Sequence, residues 1–84
     1  MYLILSYDVD AERTQIFKKM AGRFLHHIQN SVFEGHVTES QLMKLRSGIK
    51  DELKDNESLV IWIFQTESHV KKITYGTQID SNFL

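Results

Sequence analysis

The sequence of 84 residues contains no cysteine and no proline, and its net charge is only −1. Without cysteine the chain forms neither a disulfide nor a thiolate metal site, which is compatible with a reducing, cytoplasmic location. The longest apolar run, 59–64, has the length of a strand, so the sequence predicts no signal peptide and no membrane span. The low net charge does not indicate a nucleic-acid binder, so any phosphate-binding surface must be local or built by association of copies.

The spacing of the apolar residues predicts one small α+β domain over 1–84. Apolar residues at 16, 17, 20, 21, 24 and 25 form a helical stripe, and a capping box at Thr38 and Gln41 begins a second helix. The predicted elements, in order, are a strand at 1–7, a helix after Asp10, one bent or two short strands within 26–37, a helix after Thr38, a strand at 58–65, a short strand at 70–75 and a polar tail at 76–84.

This order predicts a ferredoxin-like sandwich, βαββαβ plus a C-terminal strand, in which both helices cover the same face of the sheet. Along the strands 1–7 and 58–65, apolar residues point to both faces of the sheet. Because two helices cover one face only, the other face would be a large exposed apolar surface. The sequence therefore predicts a homodimer that packs sheet on sheet, with the alternative that the tail folds back over this face.

Two acidic residues, Asp8 and Asp10, lie between the first strand and the first helix in the run Tyr7-Asp8-Val9-Asp10. A carboxylate at a strand end beside a helix start is well placed to hold a divalent metal ion for hydrolytic chemistry. The alternative is structural, with Asp8 ending the strand and Asp10 capping the helix. On these residues alone both interpretations of Asp8 remain open, and Asp10 is assigned mainly to capping.

A second segment, 29–35, has the sequence Gln-Asn-Ser-Val-Phe-Glu-Gly. With the apolar strand that ends in Tyr7-Asp8, the helix capped by Thr38 and the strand that begins at Ser58, this segment makes the chain resemble the CRISPR-associated protein two family over nearly its whole length. The resemblance implies a ferredoxin-like homodimer in which Asp8 of each subunit meets its mate across the two-fold axis. The two carboxylates would together hold Mg²⁺ or Mn²⁺.

The function that the resemblance implies is spacer acquisition in CRISPR adaptive immunity. There the homodimer bridges copies of the integrase subunit, CRISPR-associated protein one, and holds duplex DNA. The resemblance further implies that the tail 76–84 serves in docking or dimerisation. The resemblance also implies a magnesium-dependent endonuclease, a phosphodiester hydrolase acting on single-stranded RNA or double-stranded DNA, and one protein can have both properties. Without the resemblance, a ferredoxin-like regulatory or ligand-binding module remains open.

Seven residues are predicted to form the functional site. Asp8 and Ser31 are the predicted catalytic residues, Asp8 as the metal ligand and Ser31 through a hydroxyl that orients a water molecule nearby. The structural alternative for Ser31 is a hydroxyl bonded to backbone at a bend, and for the basic helix residues an ordinary solvated face. Phe33 is predicted to be core rather than a platform for base stacking. The residues predicted to bind nucleic acid are Arg13, Lys18, Lys19, Arg23 and His27.

Overall fold

The computed structural model describes residues 1–76, which form a four-stranded antiparallel sheet and two α-helices. Short 3₁₀ turns at Ala11–Arg13 and Glu67–His69 precede the first helix and follow the last strand. Neither α-helix of this part of the chain has the length and apolar character needed to cross a bilayer. The strands and helices are β1 (Tyr2–Asp8), α1 (Thr14–Gly22), β2 (His26–Gln29), β3 (Val32–His36), α2 (Glu39–Glu52) and β4 (Ser58–Phe64).

The strand order β2-β3-β1-β4 places β1 at the centre of the sheet, between antiparallel neighbours. This topology confirms the predicted ferredoxin-like arrangement. Leu3, Leu5 and Tyr7 of β1 pack in the core with residues of both helices. The intervening residues Ile4 and Ser6 therefore point to the opposite face.

The hydrophobic core lies between the helices and one face of the sheet. Leu5 of β1 and Phe33 of β3 lie opposite each other in the register, and each is 1% exposed. Phe17 of α1 and Leu45 of α2 close over them and are equally buried. The prediction that Phe33 belongs to the core is thus confirmed.

The ends of the helices agree with the sequence prediction at one helix and differ at the other. The capping box of α2 is confirmed: Gln41 N–H donates to Thr38 Oγ1 over 3.1 Å, and Thr38 N–H donates to Gln41 Oε1 over 2.9 Å. At the first helix, Asp10 stands at the cap position of the 3₁₀ turn, but its side chain accepts no capping bond. The predicted side-chain cap is therefore wrong, and Asp10 contributes only its carbonyl oxygen, which accepts the Arg13 N–H over 2.8 Å.

Helix α1 is shorter than its apolar stripe predicted, because it ends at Gly22. The N–H groups of Phe24 and Leu25 still donate to the Ala21 carbonyl, over 3.1 and 2.9 Å, so the chain makes one last turn before β2. Leu25 is 5% exposed and lies over Gly35, where an added Cβ would stand 3.4 Å from Leu25 Cδ2. The glycine therefore allows the chain after the helix to pack closely on the sheet.

The sheet face opposite the helices is here called the open face. Two residues of β4 on this face, Val60 and Trp62, are 48% and 47% exposed. Residues 1–76 thus leave a part of the open face uncovered, as the apolar pattern of the strands predicted. The open face carries Tyr2, Ile4 and Ser6 from β1 and Val60, Trp62 and Phe64 from β4.

The predicted strand at 70–75 is wrong, because this segment has irregular backbone and pairs with no strand of residues 1–76. It contacts the open face through Lys72, which forms a salt bridge with Glu34 of β3. The Tyr2 hydroxyl donates to the same carboxylate. Burial opposes ionisation of Glu34, but these two hydrogen bonds outweigh it and hold its pKa below the ordinary value. The rest of the predicted tail, 77–84, lies outside the described residues.

Candidate active site and nucleic-acid interface

The end of β1 opens into a cleft of about 450 Å³ between α1 and the turn that joins β2 to β3. Asp8, the last residue of β1, is exposed there, and no hydrogen bond or ion pair within residues 1–76 uses its carboxylate. The cleft brings together four of the predicted site residues: Asp8, Lys18, His27 and Ser31. Tyr7, Val9, Thr14, Gln15 and Asn30 complete the lining.

Ser31 reaches the cleft because only two residues, Asn30 and Ser31, join β2 to β3. Asn30 has a φ of 42°, in the left-handed region that asparagine adopts more readily than most residues. The turn is attached to β1 by the Tyr7 N–H, which donates to the Ser31 carbonyl oxygen over 3.3 Å. The Ser31 hydroxyl itself bonds to no backbone group of residues 1–76. Its side chain is therefore available to a molecule in the cleft.

His27 lies beneath this turn with its ring stacked on Phe33, at 4.6 Å between centroids and 16° between planes. His27 Nε2 is 2.6 Å from the Asn30 carbonyl oxygen. The other nitrogen, Nδ1, is buried and has no hydrogen-bond partner among residues 1–76. Nδ1 is thus closed off from solvent and Nε2 is already bonded, so the predicted contact of His27 with phosphate is not favoured by this geometry.

The basic residues of α1 line a second depression of about 470 Å³. It is formed by Gln15, Lys18, Lys19, Gly22 and Arg23, and it shares Gln15 and Lys18 with the Asp8 cleft. The Arg23 guanidinium lies 5.6 Å from the centroid of the Phe24 ring, which supports the side chain from below. The helix therefore presents cations along a path that leads to the Asp8 carboxylate.

Arg13 lies outside both depressions and is held by an ion pair. Its Nη2 donates to Glu57 Oε1 over 3.1 Å and to the Glu52 carbonyl oxygen over 2.8 Å, and its Nε donates to the second Glu57 oxygen. The Glu57 side chain is 1% exposed, so this fork ties the start of α1 to the chain entering β4. The predicted contact of Arg13 with nucleic acid stays a prediction, and the geometry weighs against it because the guanidinium already has partners.

The ion pair makes part of the stability dependent on pH. The hydrogen bond from Arg13 lowers the pKa of Glu57, against the opposing effect of burial, and the Lys54 N–H adds to the lowering. A carboxyl whose pKa is lower in the folded chain contributes stability above its unfolded pKa, near 4.5, and this contribution is lost as the pH falls through the folded pKa.

We therefore expect Glu57→Gln to lower the midpoint of thermal unfolding at neutral pH. The difference from the parent protein should shrink as the pH falls below about 4.5, because the Glu57 carboxyl of the unfolded parent takes up a proton there before that of the folded chain does. Thermal scans over a pH series measure this difference, with Glu52→Gln as control because that side chain is 46% exposed and 4.0 Å from Arg13. A Glu57→Gln difference that is the same at every pH would contradict a stabilising ion pair.

A divalent metal would find hard oxygen ligands in the Asp8 cleft, but few of them in one chain. Residues 1–76 contain no cluster of three or more histidine, aspartate or glutamate side chains that could hold a metal ion. The cleft supplies one free carboxylate, from Asp8, with the Ser31 hydroxyl nearby. This set fits half of a magnesium site, since magnesium keeps several water ligands and is held by one or two carboxylates. A second copy of Asp8 would complete the pair.

Comparison with known proteins identifies the family. The model of the family described as CRISPR associated protein Cas2 matches residues 1–73. The chain belongs to the Cas2 family. Its relatives include two proteins named CRISPR-associated endoribonuclease Cas2. The one from Haloferax volcanii is 37% identical over 90% of this chain and 88% of the relative, and the one from Thermococcus kodakarensis is 37% identical over 93% and 91%.

Structural comparison agrees with the sequence. A solved structure described as a crystal structure of Cas2 matches with a TM-score of 0.84 and 35% identity, over 93% of this chain and 88% of that one. Membership in the Cas2 family confirms the resemblance drawn from the strand-end Asp8 and the segment 29–35, and it connects the protein with CRISPR defence. The ferredoxin-like sheet with two helices on one face is thus the Cas2 fold.

Two features of the site were not predicted from the sequence. Asn30 and its left-handed turn were missed, although an asparagine followed by serine between two β-forming runs is a recognisable turn signal. The pair Arg13–Glu57 was also missed, and here no signal exists, because 44 positions separate the two residues and only the folded sheet brings them together.

Proposed function

We propose that this Cas2 protein is a homodimeric, metal-dependent endonuclease that binds nucleic acid along α1 and cleaves it beside Asp8. The observation that carries the proposal is the Asp8 carboxylate, exposed and without a protein partner in residues 1–76, in a cleft that shares Gln15 and Lys18 with the depression lined by Lys19 and Arg23. Two relatives named endoribonucleases support RNA as the first substrate to test. A regulatory or ligand-binding module does not require a free carboxylate at the end of a basic path.

The homodimer is supported by the apolar surface that one chain leaves exposed. Val60 and Trp62 on the open face are about half exposed, and β4 is an edge strand whose outer side has no partner in residues 1–76. Apolar surface of this extent beside a free strand edge is typical of a protein interface. A second copy would cover it and supply the second Asp8.

We expect the protein to be a dimer at micromolar concentration and Trp62→Glu to make it a monomer. Burying an unpaired carboxylate in an apolar interface costs several kcal/mol, which raises the dissociation constant by about 100-fold or more. Size-exclusion chromatography with light scattering measures the mass. Met43→Glu is the matched control, since Met43 is 69% exposed but lies on α2, away from the open face. A dimer that tolerates Trp62→Glu would place the interface elsewhere.

The chemistry of the cleft follows from the charges and donors of this chain. The two Asp8 carboxylates of a dimer would hold the Mg²⁺ or Mn²⁺ ion, which supplies positive charge to the phosphate and lowers the pKa of a bound water molecule. Lys18 offers an ammonium to the phosphate oxygens, and the Ser31 hydroxyl accepts a hydrogen bond from the attacking water and so orients it. Lys19 and Arg23 hold the neighbouring phosphates of the strand.

The experiment that tests the proposal compares substrates and metals directly. Purified protein is incubated with single-stranded RNA and with duplex DNA, each with Mg²⁺, with Mn²⁺ and with a chelator. The proposal expects cleavage of at least one substrate with either metal and none with the chelator. Cleavage that persists in the chelator, or intact substrates under all conditions, would contradict a metal-dependent nuclease.

A second function is favoured by the exposed apolar segment after β4. We propose that the dimer also serves as a DNA-holding bridge in spacer acquisition, with the integrase subunit, CRISPR-associated protein one, as partner. Ile73 and Tyr75 are exposed in an irregular segment, and the predicted docking tail, 76–84, follows directly. A segment that pairs with no strand of its own chain can bind a partner by adding a strand to the partner's sheet. This function needs the dimer and its cations but not hydrolysis.

A further inference from the structure

We infer that His27 is a positioning residue for the Asp8 cleft. Its Nε2–H holds the Asn30 carbonyl oxygen, and this bond sets the left-handed turn that carries Ser31 into the cleft. The inference rests on the proposed function in one respect only, namely that Ser31 takes part in the cleavage. The positioning of the turn by the hydrogen bond from His27 does not depend on the proposed function.

The hydrogen bond defines where the proton of the imidazole lies. A carbonyl oxygen only accepts, so at 2.6 Å from the Asn30 oxygen Nε2 must be the donor. In the neutral ring Nδ1 then keeps its lone pair, and this atom is buried with no hydrogen-bond partner among residues 1–76. Neither nitrogen is free to contact a substrate. His27 therefore acts through the turn and not on the reacting atoms.

The ring is held in place by the core beneath it. His27 stacks on Phe33 at 4.6 Å with an angle of 16° between the planes. Phe33 is 1% exposed and stacks in turn on Tyr7, with 6.0 Å between centroids. The position of Nε2 is thus determined by two packed aromatic side chains. Because packing fixes the position of this donor, its hydrogen bond can hold the turn in one place.

Beyond the strand pairs that flank it, Gln29 with Val32 and Val32 with Ser6, the turn is held within residues 1–76 by two further hydrogen bonds. Asn30, at φ 42°, occupies a region that costs a non-glycine residue conformational energy. The backbone bond from Tyr7 N–H to the Ser31 carbonyl is long, at 3.3 Å. The 2.6 Å bond from His27 is the shorter of the two contacts, and it acts on the residue that carries the strain. Its loss should let the turn move away from β1.

Two amide substitutions, His27→Gln and His27→Asn, differ in whether the new side chain can still donate a hydrogen bond to the Asn30 carbonyl oxygen. The glutamine side chain places its N–H near the position of Nε2, whereas the asparagine side chain reaches only to the position of Nδ1. Both substitutions remove the stacked ring, so any loss of stacking is common to both. His27→Gln should therefore keep the turn in place and His27→Asn should release it.

The readout is amide hydrogen exchange at Tyr7, whose N–H is bonded to the Ser31 carbonyl. We expect exchange at Tyr7 to rise about fivefold in His27→Asn, as for the loss of one hydrogen bond, and to stay within about twofold in His27→Gln. Adding Asn30→Gly to His27→Asn should restore protection, because glycine adopts positive φ without strain. His26→Asn, on the opposite face of β2, is the control and should change nothing.

Several results would overturn the inference. One is an equal rise in His27→Gln and His27→Asn, which would assign the effect to stacking; another is no rise in either. The unsubstituted protein provides a test that needs no variant, since long-range ¹H–¹⁵N spectra of His27 should show the proton on Nε2. A proton on Nδ1 alone would exclude the hydrogen bond.

Cleavage kinetics separate this inference from the proposed function. If the parent protein cleaves RNA, His27→Asn should lower kcat by about tenfold and leave KM within about twofold, because the cations that bind the strand are unchanged. His27→Gln should retain the parent kcat. A raised KM with an unchanged kcat in His27→Asn would overturn the positioning role. If the parent cleaves nothing while the exchange results hold, the proposed function fails and the hold of His27 on the turn stands.

Discussion

Replacing Asp8 with asparagine should remove metal-dependent cleavage while leaving the fold and the dimer intact. The residue is exposed at the end of β1 and no bond within residues 1–76 depends on its carboxylate, so asparagine keeps the shape and removes only the charge. A hard cation such as Mg²⁺ needs that charge. Loss of a residue that merely supports a metal ligand costs 10–100-fold, so loss of the ligand itself should lower cleavage by about 100-fold or more.

The matched control is Asp10→Asn, at the same end of the sheet. Asp10 lies two positions further on, its side chain makes no capping bond, and it is not part of the cleft lining. We expect this variant to cleave within about twofold of the parent. If Asp8→Asn cleaves as fast as Asp10→Asn at matched metal concentration, Asp8 is not the metal ligand.

Asp8→Asn also separates the two proposed functions. A DNA-holding bridge requires the dimer and its basic surface, so spacer acquisition should continue when Asp8→Asn is supplied with the integrase subunit. If acquisition stops, the hydrolytic chemistry at Asp8 is part of that function.

Neutralising the basic path on α1 should weaken binding of duplex DNA in a manner that depends on salt. In the variant Lys18→Gln, Lys19→Gln, Arg23→Gln each lost phosphate contact should reduce the slope of log K against log salt by about 0.9, or about 2.7 for each subunit that contacts the DNA. At about 0.1 M salt this corresponds to a loss of affinity of roughly two to three orders of magnitude. Binding titrations at several salt concentrations measure both quantities.

A control variant with the same change of net charge is available on the other helix. Lys44, Arg46 and Lys50 of α2 are exposed and again consist of two lysines and one arginine. Changing these three to glutamine should leave the salt slope of the parent unchanged. If both triple variants lose affinity equally, DNA responds to the total charge of the protein and not to a path along α1.

The sequence predicted the fold well because the relevant signals are local. The central strand β1 is apolar on both faces, the helix start at Thr38 has a capping box, and the two-sided pattern of β4 predicted an uncovered sheet face. Each of these follows from residues a few positions apart. The short strand predicted at 70–75 failed for the opposite reason, because a strand forms only where another strand pairs with it, and no composition rule supplies that partner.

The sequence predicted which residues form the site but not how they are arranged. Asp8, Lys18, His27 and Ser31 were each singled out from the sequence, and the structure places all four around one cleft. The different surroundings of the basic residues depend on tertiary structure, since Arg13, just before α1, meets a buried glutamate 44 positions away, whereas Lys18 of α1 lines the cleft. The burial of His27 Nδ1 likewise accompanies the stacking of the ring on Phe33.

The most direct test of the shared site is the number of metal ions bound by the dimer. Titration of the purified protein with Mn²⁺, followed by electron paramagnetic resonance of the free ion, counts the bound ions for each chain. If two Asp8 carboxylates form one site, the protein binds one ion for every two chains, and Asp8→Asn removes that site while the dimer persists. One ion for every chain, or the same binding in Asp8→Asn, would contradict a metal site shared across the dimer.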